Sequence, residues 1–440
     1  MIPYKSPNLL FSNLDNGFYG VVNTFQPDSL RVINSKQKQL FDQIDGRLTV
    51  AELANKLIFE QDNLKLALDG FNASGLIRYQ NQFPEPSAEL ATSTLNLWVH
   101  TTNKCNLSCN YCYISTLNET GGMSKAIQDK FLKKLVDTAR VRRLTNIKLR
   151  LAGGEPLTQF AQWKSFILNA KNDLSEIGCT FGVSFITNLT ILNDEMIEFC
   201  KAEDIGFGVS LDGLYSYHDN TRKLHSGKGT FETVDKNLNR LIENGIRVST
   251  STVVSNENMA GLAELTAYLI ERDLPFRFSI VKGVDINRQQ LTKNLLAAYK
   301  VMEDAINKGW DFSRKHKFCD LKPNELGTQT CSSGFSGGAV YVDGGIYYCH
   351  VQFGQKENAT GTIADENIDL LSMIETGMHF EGMKSVDCQS CKYKYICTSG
   401  CPMYRIDGKD PNCGIYHEII PLVYRLQAKE KLLRIINHYN

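Results

Sequence analysis

A chain of 440 residues, 42% of them hydrophobic, has length for about three domains at roughly 150 residues each and enough apolar content for sizeable cores. Lys plus Arg and Asp plus Glu number 48 each, for a formal net charge of zero, which argues against the broad positive footprint of a nucleic-acid binder. No basic stretch leads into an apolar run near the start, and no long unbroken apolar run occurs anywhere. Neither a signal peptide nor a membrane span is expected, and the expected compartment is the cytoplasm.

Residues 1–82 contain no cysteine and read as a small separate domain. An extended stretch from Gly17 to Asn34 mixes β-branched and aromatic residues around a turn at Gln26-Pro27-Asp28, which predicts two short strands. Ser35 is placed to cap a helix carrying Leu40, Phe41 and Ile44, and Gly46 to end it. Thr49-Val50-Ala51-Glu52 has capping-box spacing, and a third helix from about Asp62 presents Leu64, Leu68 and Phe71. The plan is winged-helix-like.

Residues 83–94, with Phe83-Pro84-Glu85-Pro86-Ser87, have the composition of a linker. Over 95–285 short apolar strands alternate with amphipathic helices. Strands are predicted at Leu97 to Thr101, Ile147 to Ala152, Gly182 to Thr187, Gly206 to Leu211, Val248 to Val254 and Arg277 to Val281, which points to βα units around a parallel sheet. Residues 286–318 read as a helical bridge to a turn-rich region over 319–440 that needs metal to hold it together.

The chain has 13 cysteines, many for a cytosolic protein, where repeated cysteines at fixed spacing ligate metal more often than they form disulfides. Directly after the first parallel strand comes Cys105-Asn-Leu-Ser-Cys109-Asn-Tyr111-Cys112-Tyr113. Three thiolates on one loop can hold three irons of a 4Fe-4S cube and leave the fourth open to an outside ligand. A structural zinc site with its fourth ligand elsewhere is the alternative. Gly153-Gly154-Glu155-Pro156 follows the second strand, Thr187-Asn188 the third and Ser210-Leu211-Asp212-Gly213 the fourth. Each polar group sits at the carboxyl end of a parallel strand, where parallel barrels place their sites.

In this order behind the cysteine trio, these motifs resemble the radical S-adenosylmethionine (SAM) enzymes over about residues 95 to 285. The resemblance implies a partial (β/α)6 barrel in which Cys105, Cys109 and Cys112 bind a 4Fe-4S cluster whose open iron is chelated by SAM. It implies that Gly153, Gly154 and Glu155 hold the cofactor's amino group, that Ser210 and Asp212 lie near its ribose or methionyl part, and that Tyr111, Tyr113 and Asn188 border it. Arg222, in His218-Asp-Asn-Thr-Arg222, is placed to pair with its carboxylate or else to be an exposed loop arginine. The implied chemistry is a 5'-deoxyadenosyl radical that takes hydrogen from an unactivated carbon.

Further on, Cys331-x12-Gly344-x4-Cys349 precedes Cys388-x2-Cys391-x5-Cys397-x3-Cys401 and Cys413. An isolated fragment of this kind reads as a zinc ribbon. Behind the radical SAM motifs it resembles the SPASM domain, a C-terminal iron-sulfur extension with two auxiliary 4Fe-4S clusters. Carried over, Cys388, Cys391, Cys397 and Cys413 hold the distal cluster, and Cys331, Cys349 and Cys401 the proximal one. Cys319 either closes the proximal cluster or leaves an iron open to substrate. His350 stands where related sulfatase maturases have a proton-accepting aspartate, and an unperturbed histidine, near 6.5, could serve as the base; a surface or cluster-side histidine is the other reading. Cys179 and Cys200 fall outside every motif and read as packing residues.

The N-terminal plan is similar to the RiPP recognition element, a winged helix that binds leader peptides of ribosomally made natural products by adding them to a sheet edge. The combined expectation is a peptide maturase that binds a ribosomally made precursor through its leader and cross-links a core residue by a carbon-carbon or thioether bond. Its cofactors are three 4Fe-4S clusters and SAM, its electron donor a flavodoxin or ferredoxin, with no nucleic-acid or membrane partner. Two alternatives stand beside it: oxidation of a Cys or Ser in a protein, as sulfatase maturases do, and a non-catalytic, zinc-stabilised peptide-binding protein.

Overall fold

The computed structural model describes residues 1–83, 85, 92–116, 121–318, 320–324, 326–327, 329–375 and 385–439. Most of the expected linker and Cys319 lie outside the described residues. The chain divides into two compact units, one of Met1–Glu89, Arg288–Thr330 and Gly382–Asn440, the other of Leu90–Asn287 and Cys331–Glu381. The N-terminal region thus shares a unit with the chain's last helix, and residues 331–381 of the cysteine-rich region belong with the barrel.

In the first unit, β1 (Leu9–Asn13), β2 (Phe18–Asn23) and β3 (Gln26–Asn34) form an antiparallel meander, followed by α1 (Ser35–Gln43), α2 (Val50–Leu57) and α3 (Gln61–Ala73). Both first helices open on reciprocal caps, Asn34 with Gln37 and Thr49 with Glu52, which satisfy backbone N–H groups that the first turn leaves unpaired. The cap of α1 is therefore Asn34, one residue before the expected Ser35. The turn also lies earlier than expected, because the Asn23 side chain accepts from Phe25 N at 3.1 Å, an Asx turn that draws Gln26-Pro27-Asp28 into β3. Val21, Ile33, Leu40, Phe41, Leu53 and Leu68 make the core beneath the sheet.

The opposite face of this sheet is also covered. Leu14, Phe18, Leu30 and Val32 pack against Ala428 and Leu432 of the terminal helix Cys413–Tyr439. Around this seam Lys429 meets Asp15 at 3.2 Å and Glu303 at 3.1 Å, while Arg425 meets Glu303 at 2.8 Å. Glu303 comes from the helix Arg288–Ile306, within the expected bridge. The β2–β3 turn adds an edge-on contact of Phe25 with Tyr395 at 5.0 Å and a hydrogen bond from Thr24 to the Lys392 carbonyl. A sheet apolar on both faces needs two covers, and the terminal helix supplies the second.

The second unit is α/β. Parallel strands β4 (Thr94–His100), β5 (Asn146–Ala152), β6 (Thr180–Thr187), β7 (Gly206–Ser210), β8 (Val248–Val254) and β9 (Phe276–Ile280) pair in sequence order. Between them run α4 (Lys125–Arg142), α5 (Phe160–Ser175), α6 (Asp194–Ala202), α7 (Phe231–Glu243) and α8 (Leu262–Glu271). Leu97, Val99, Leu149, Leu151, Phe185, Val209, Phe276 and Phe278 are buried at alternate positions, as a sheet with one helix-covered face requires. Beyond β4 the sheet continues through β10 (Gly337–Val340), parallel to β4, and the antiparallel β11 (Gly345–Tyr347) and β12 (Ala359–Thr362). All six expected barrel strands are present within two or three residues; the last three were not expected.

Gly20 and Gly70 separate close packing from open space. A Cβ on Gly20 would stand 2.5 Å from Ala428 Cβ, whereas one on Gly70 would meet nothing within 4 Å. We therefore expect Gly20→Ala to cost about 1–3 kcal/mol by overpacking, and Gly70→Ala, in the interior of α3, to add roughly 0.5–1 kcal/mol. Urea unfolding of the two variants checks both signs.

Candidate active site

The cysteine loop leaves β4 at the carboxyl edge of the parallel sheet and has little regular structure of its own, so its position depends on what holds it. Ser108 N donates to Lys223 O at 2.8 Å, Asn110 N to Thr221 O at 3.3 Å, and Leu107 bridges Leu224. Cys105, Cys109 and Cys112 lie within electrostatic reach of one another. Donors surround their sulfurs: Leu107 N stands 3.4 Å and Asn188 Nδ2 3.8 Å from Cys105 Sγ, and Arg222 Nη1 3.9 Å from Cys109 Sγ.

The Gly153-Gly154-Glu155 turn locks the start of this loop. Gly154 N donates to Thr102 O at 2.6 Å and Glu155 N to Lys104 O at 2.9 Å. A Cβ on Gly153 would lie 2.5 Å from Thr102 O, and one on Gly154 2.2 Å from Lys104 O. The close approach that makes glycine necessary at these two positions is thus made by the cysteine loop's backbone, where the sequence suggested a ligand. Glu155 is fully buried. Its carboxylate accepts from Leu157 N at 3.1 Å, Thr187 Oγ1 at 2.6 Å and Asn188 N at 2.8 Å. Burial raises the Glu155 carboxyl to about 7 against those donors and Arg222. Asn188 in turn accepts from Thr190 and donates to Asn106 Oδ1 at 3.0 Å, tying the end of β6 to the loop.

A second buried carboxylate fixes the other side. Asp212 Oδ2 accepts from Arg222 Nε at 2.8 Å, from Thr221 Oγ1 at 3.1 Å and from the Tyr111 hydroxyl, while Oδ1 accepts from Val253 N at 3.0 Å. Arg222 also lies over the Tyr111 ring, 5.5 Å from its centroid. Arg222 is 8% and Asp212 0% exposed, so the surface reading of Arg222 does not hold. The two charges expected to face a cofactor face each other first. Sequence reasoning missed Thr221 and His218, whose Nδ1 accepts from Asp212 N at 3.3 Å; the His-Asp-Asn-Thr-Arg run was the signal for both.

Ser210 ends β7, half-buried and paired in register with Ser251. Tyr113 begins a short 3-10 turn, its ring 5.5 Å from that of His350. His350 follows β11 and stacks on Trp98 at 4.3 Å, with Nδ1 3.7 Å from Cys349 Sγ. Enclosure, then the nearby basic His100 and Arg277, push the imidazole down to about 4, which makes it a far weaker proton acceptor than an unperturbed histidine. Cys331 is exposed and Cys349 half-buried in this unit, while Cys401 belongs to the other. Cys179 and Cys200 are buried.

In the first unit, Cys388, Cys391, Cys397 and Cys413 share one electrostatic neighbourhood with Asp410. Burial raises the thiol of Cys397, and that of Cys105 to about 11, so thiolates at either place need a cation close by. Among the described residues no group of three or more Cys, His, Asp or Glu is drawn together around one point. N–H and guanidinium donors aimed at the Cys105 and Cys109 sulfurs suit an anionic cluster held corner by corner.

A radical SAM superfamily model matches residues 99–269. The chain is 33% identical over 177 residues to an uncharacterized protein of Methanocaldococcus jannaschii, covering 40% of this chain and 58% of that one. It is 22% identical over 333 residues to a serine-type anaerobic sulfatase-maturating enzyme of Klebsiella aerogenes, covering 71% of this chain and 81% of that enzyme. Among solved structures, native anSMEcpe with bound AdoMet and Cp18Cys peptide superposes with a TM-score of 0.63 at 19% identity, over 79% of this chain and all of that one. Streptococcus suis SuiB superposes with a TM-score of 0.53 at 14% identity, over 92% of this chain and 98% of that one. At these identities the structural likeness concerns the fold.

Two measurements test the buried carboxylates. Arg222→Gln leaves Asp212 charged and unpaired, and we expect it to cost about 3–5 kcal/mol, with less lost when Asp212→Asn is added; urea unfolding of single and double variants reads the difference. For Glu155, a folded value raised above the ordinary 4.5 means that the folded chain holds the proton more tightly than the unfolded one. That stabilisation is full below about pH 4.5 and is lost as pH rises through about 7. Cluster-free protein should therefore weaken over that window, and Glu155→Gln should flatten the slope; equal slopes would show an ordinary carboxyl.

Proposed function

We propose that this chain, whose residues 99–269 match the radical SAM superfamily model, is a peptide maturase that binds a ribosomally made precursor through its leader and oxidatively cross-links a residue of the core peptide. The observation that carries the radical chemistry is the Cys105–Cys112 loop, held at the carboxyl edge of a parallel sheet with its three thiols together and donors on its sulfurs. When bound there, a reduced 4Fe-4S cluster and SAM supply a 5'-deoxyadenosyl radical able to take hydrogen from carbon. The protein's part is placement. Cys105, Cys109 and Cys112 provide the thiolates, Arg222 and Asn188 lie beside their negative charge, and Glu155 and Asp212 keep the loop still.

The N-terminal domain supports recruitment of a peptide. β3 runs nine residues at an edge of its three-stranded sheet, and such an edge can take an added strand. Beside its end at Asn34, α1 and α3 enclose a cleft of about 160 Å³ lined by Lys36, Leu40, Phe59, Asn63 and Ala67, room for one anchoring side chain. The fold likeness to SuiB spans 92% of the chain, against 79% for anSMEcpe. The four gathered cysteines, with the spacing of Cys331, Cys349 and Cys401, support two auxiliary clusters that carry away the electron released as the product radical closes its bond. A flavodoxin or ferredoxin is the reductant we assign.

Oxidation of a Cys or Ser in a protein is the second reading, favoured by the sulfatase-maturating relatives that align over about 70% of the chain.

Anaerobic incubation of a candidate precursor with enzyme, SAM and reductant, read by mass spectrometry, should show a loss of about two mass units per event, confined to one stretch and dependent on residues 1–82. Iron should number about twelve per chain, and replacing Cys105, Cys109 and Cys112 with alanine should abolish 5'-deoxyadenosine formation. An unchanged peptide with 5'-deoxyadenosine still produced would favour the sulfatase-type reading.

A further inference from the structure

The cysteine loop has a tether besides its two carboxylates, and it comes from the strands that follow the barrel. β10 runs parallel to β4 with Val340 opposite Val99, so the next residues, Tyr341 and His100, lie side by side at the carboxyl ends of the two strands. Their rings stand 5.4 Å apart at 30°. Phe353 packs against both, 5.0 Å from His100 and 4.8 Å from Tyr341, and all three residues are buried. From this aromatic enclosure two polar atoms meet one side chain. His100 Nε2 lies 2.7 Å from Asn103 Oδ1, and Asn103 Nδ2 donates to the Tyr341 hydroxyl at 2.8 Å. Asn103 N donates to Gly121 O at 2.8 Å, so its backbone N–H and both ends of its amide are engaged two residues before Cys105.

Packing alone does not account for His100. The Asn103 oxygen has only lone pairs to offer, so Nε2 carries the ring proton. Burial pushes the imidazole down to about 4, so the ring is neutral near pH 7 and Nδ1 is a bare acceptor. That Nδ1 is enclosed and among the described residues has no partner. An unfilled buried acceptor is a cost that a phenyl ring in its place would avoid; what the imidazole supplies instead is the N–H at Asn103. The bond acts at a point where the chain has little room. A Cβ on Gly154 would lie 2.9 Å from the Asn103 carbonyl oxygen, and the loop beyond has few backbone bonds of its own, so the direction set at Asn103 is passed on to the cysteines.

We propose that His100 and Tyr341 are positioning residues for SAM cleavage: through the Asn103 side chain they fix how the chain enters Cys105, and with it the seat of the cluster that Cys105, Cys109 and Cys112 would hold. Neither needs to touch cluster or cofactor. Tyr341 belongs to the stretch between Cys331 and Cys349, so the loop is steadied by the region that follows the barrel as well as by the barrel itself. This rests on the radical SAM reading above and is independent of what the substrate peptide is.

The test uses anaerobically reconstituted full-length protein, reduced with dithionite and given SAM without peptide, as wild type, Tyr341→Phe, Asn103→Ala, the double variant, His100→Phe and His100→Gln. Three readouts are taken: iron per chain, the SAM-induced difference in the electron paramagnetic resonance spectrum, and kcat and KM for 5'-deoxyadenosine formation. Tyr341→Phe removes one hydroxyl; it should keep iron and KM while changing the difference spectrum and lowering kcat about tenfold, as loss of placement does. The double variant should be no slower than Asn103→Ala, because the hydroxyl acts only through that side chain. His100→Gln, whose amide N–H can take the place of Nε2, should be less impaired than His100→Phe. A wild-type spectrum and kcat in Tyr341→Phe, effects that multiply in the double variant, or a loss of iron that matches the loss of rate each overturn the inference while leaving the radical reading intact. A wild-type protein with no SAM-induced difference overturns both.

Discussion

The geometry of the candidate active site depends on two carboxylates that have no access to water. Glu155 and Asp212 are both 0% exposed, and each gathers donors from parts of the chain far apart in sequence: Leu157, Thr187 and Asn188 for the first, Tyr111, Thr221, Arg222 and Val253 for the second. A buried carboxylate is expensive unless its lone pairs are filled. The cost acts as a clamp: if any of these elements moves, a buried polar group loses its partners. The cysteine loop, with few backbone bonds of its own, inherits its position from that penalty.

This explains why neither Asp212 nor Arg222 need touch a ligand to matter. The Arg222 guanidinium spans from the Asp212 carboxylate to Cys109 Sγ, so one cation balances the buried carboxylate and the nearest sulfur together. Arginine suits both tasks because its planar fork presents several donors in fixed directions; lysine at the same place would offer a single charged point. The ion pair's contribution is specificity of placement, which a buried pair supplies more dependably than net stability.

Much of this was legible in the chain. The six parallel strands and the turns that follow them could be read from alternating apolar runs and from Gly-Gly-Glu-Pro, Thr-Asn and Ser-Leu-Asp-Gly, because a strand with one buried face prints its period directly on the sequence. The three strands from Gly337 to Thr362 could not, since they are three or four residues long and two of them consist largely of glycine and threonine or alanine. The union of the N-terminal sheet with the terminal helix was also hidden. Its signal was apolar residues on both alternations of β2 and β3, Phe18 and Val32 as well as Val21 and Ile33, which local pattern reading takes for a simple buried strand. The roles of Gly153 and Gly154 needed coordinates, because sequence shows that glycine is required without showing what comes close.

The first unit would constrain how a leader of the proposed kind could act. A recognition domain on a free linker would raise only the local concentration of its peptide. Here the sheet that would receive the leader is fixed on one face by the helix that begins at Cys413, and its β2–β3 turn rests on Lys392 and Tyr395, between Cys391 and Cys397. The four gathered cysteines therefore lie at the base of both supports. A metal cluster that binds all four would stiffen the seat of the N-terminal sheet as well as carry electrons, so on the proposed reading the direction in which a peptide leaves that sheet would be a property of the loaded protein rather than of linker length.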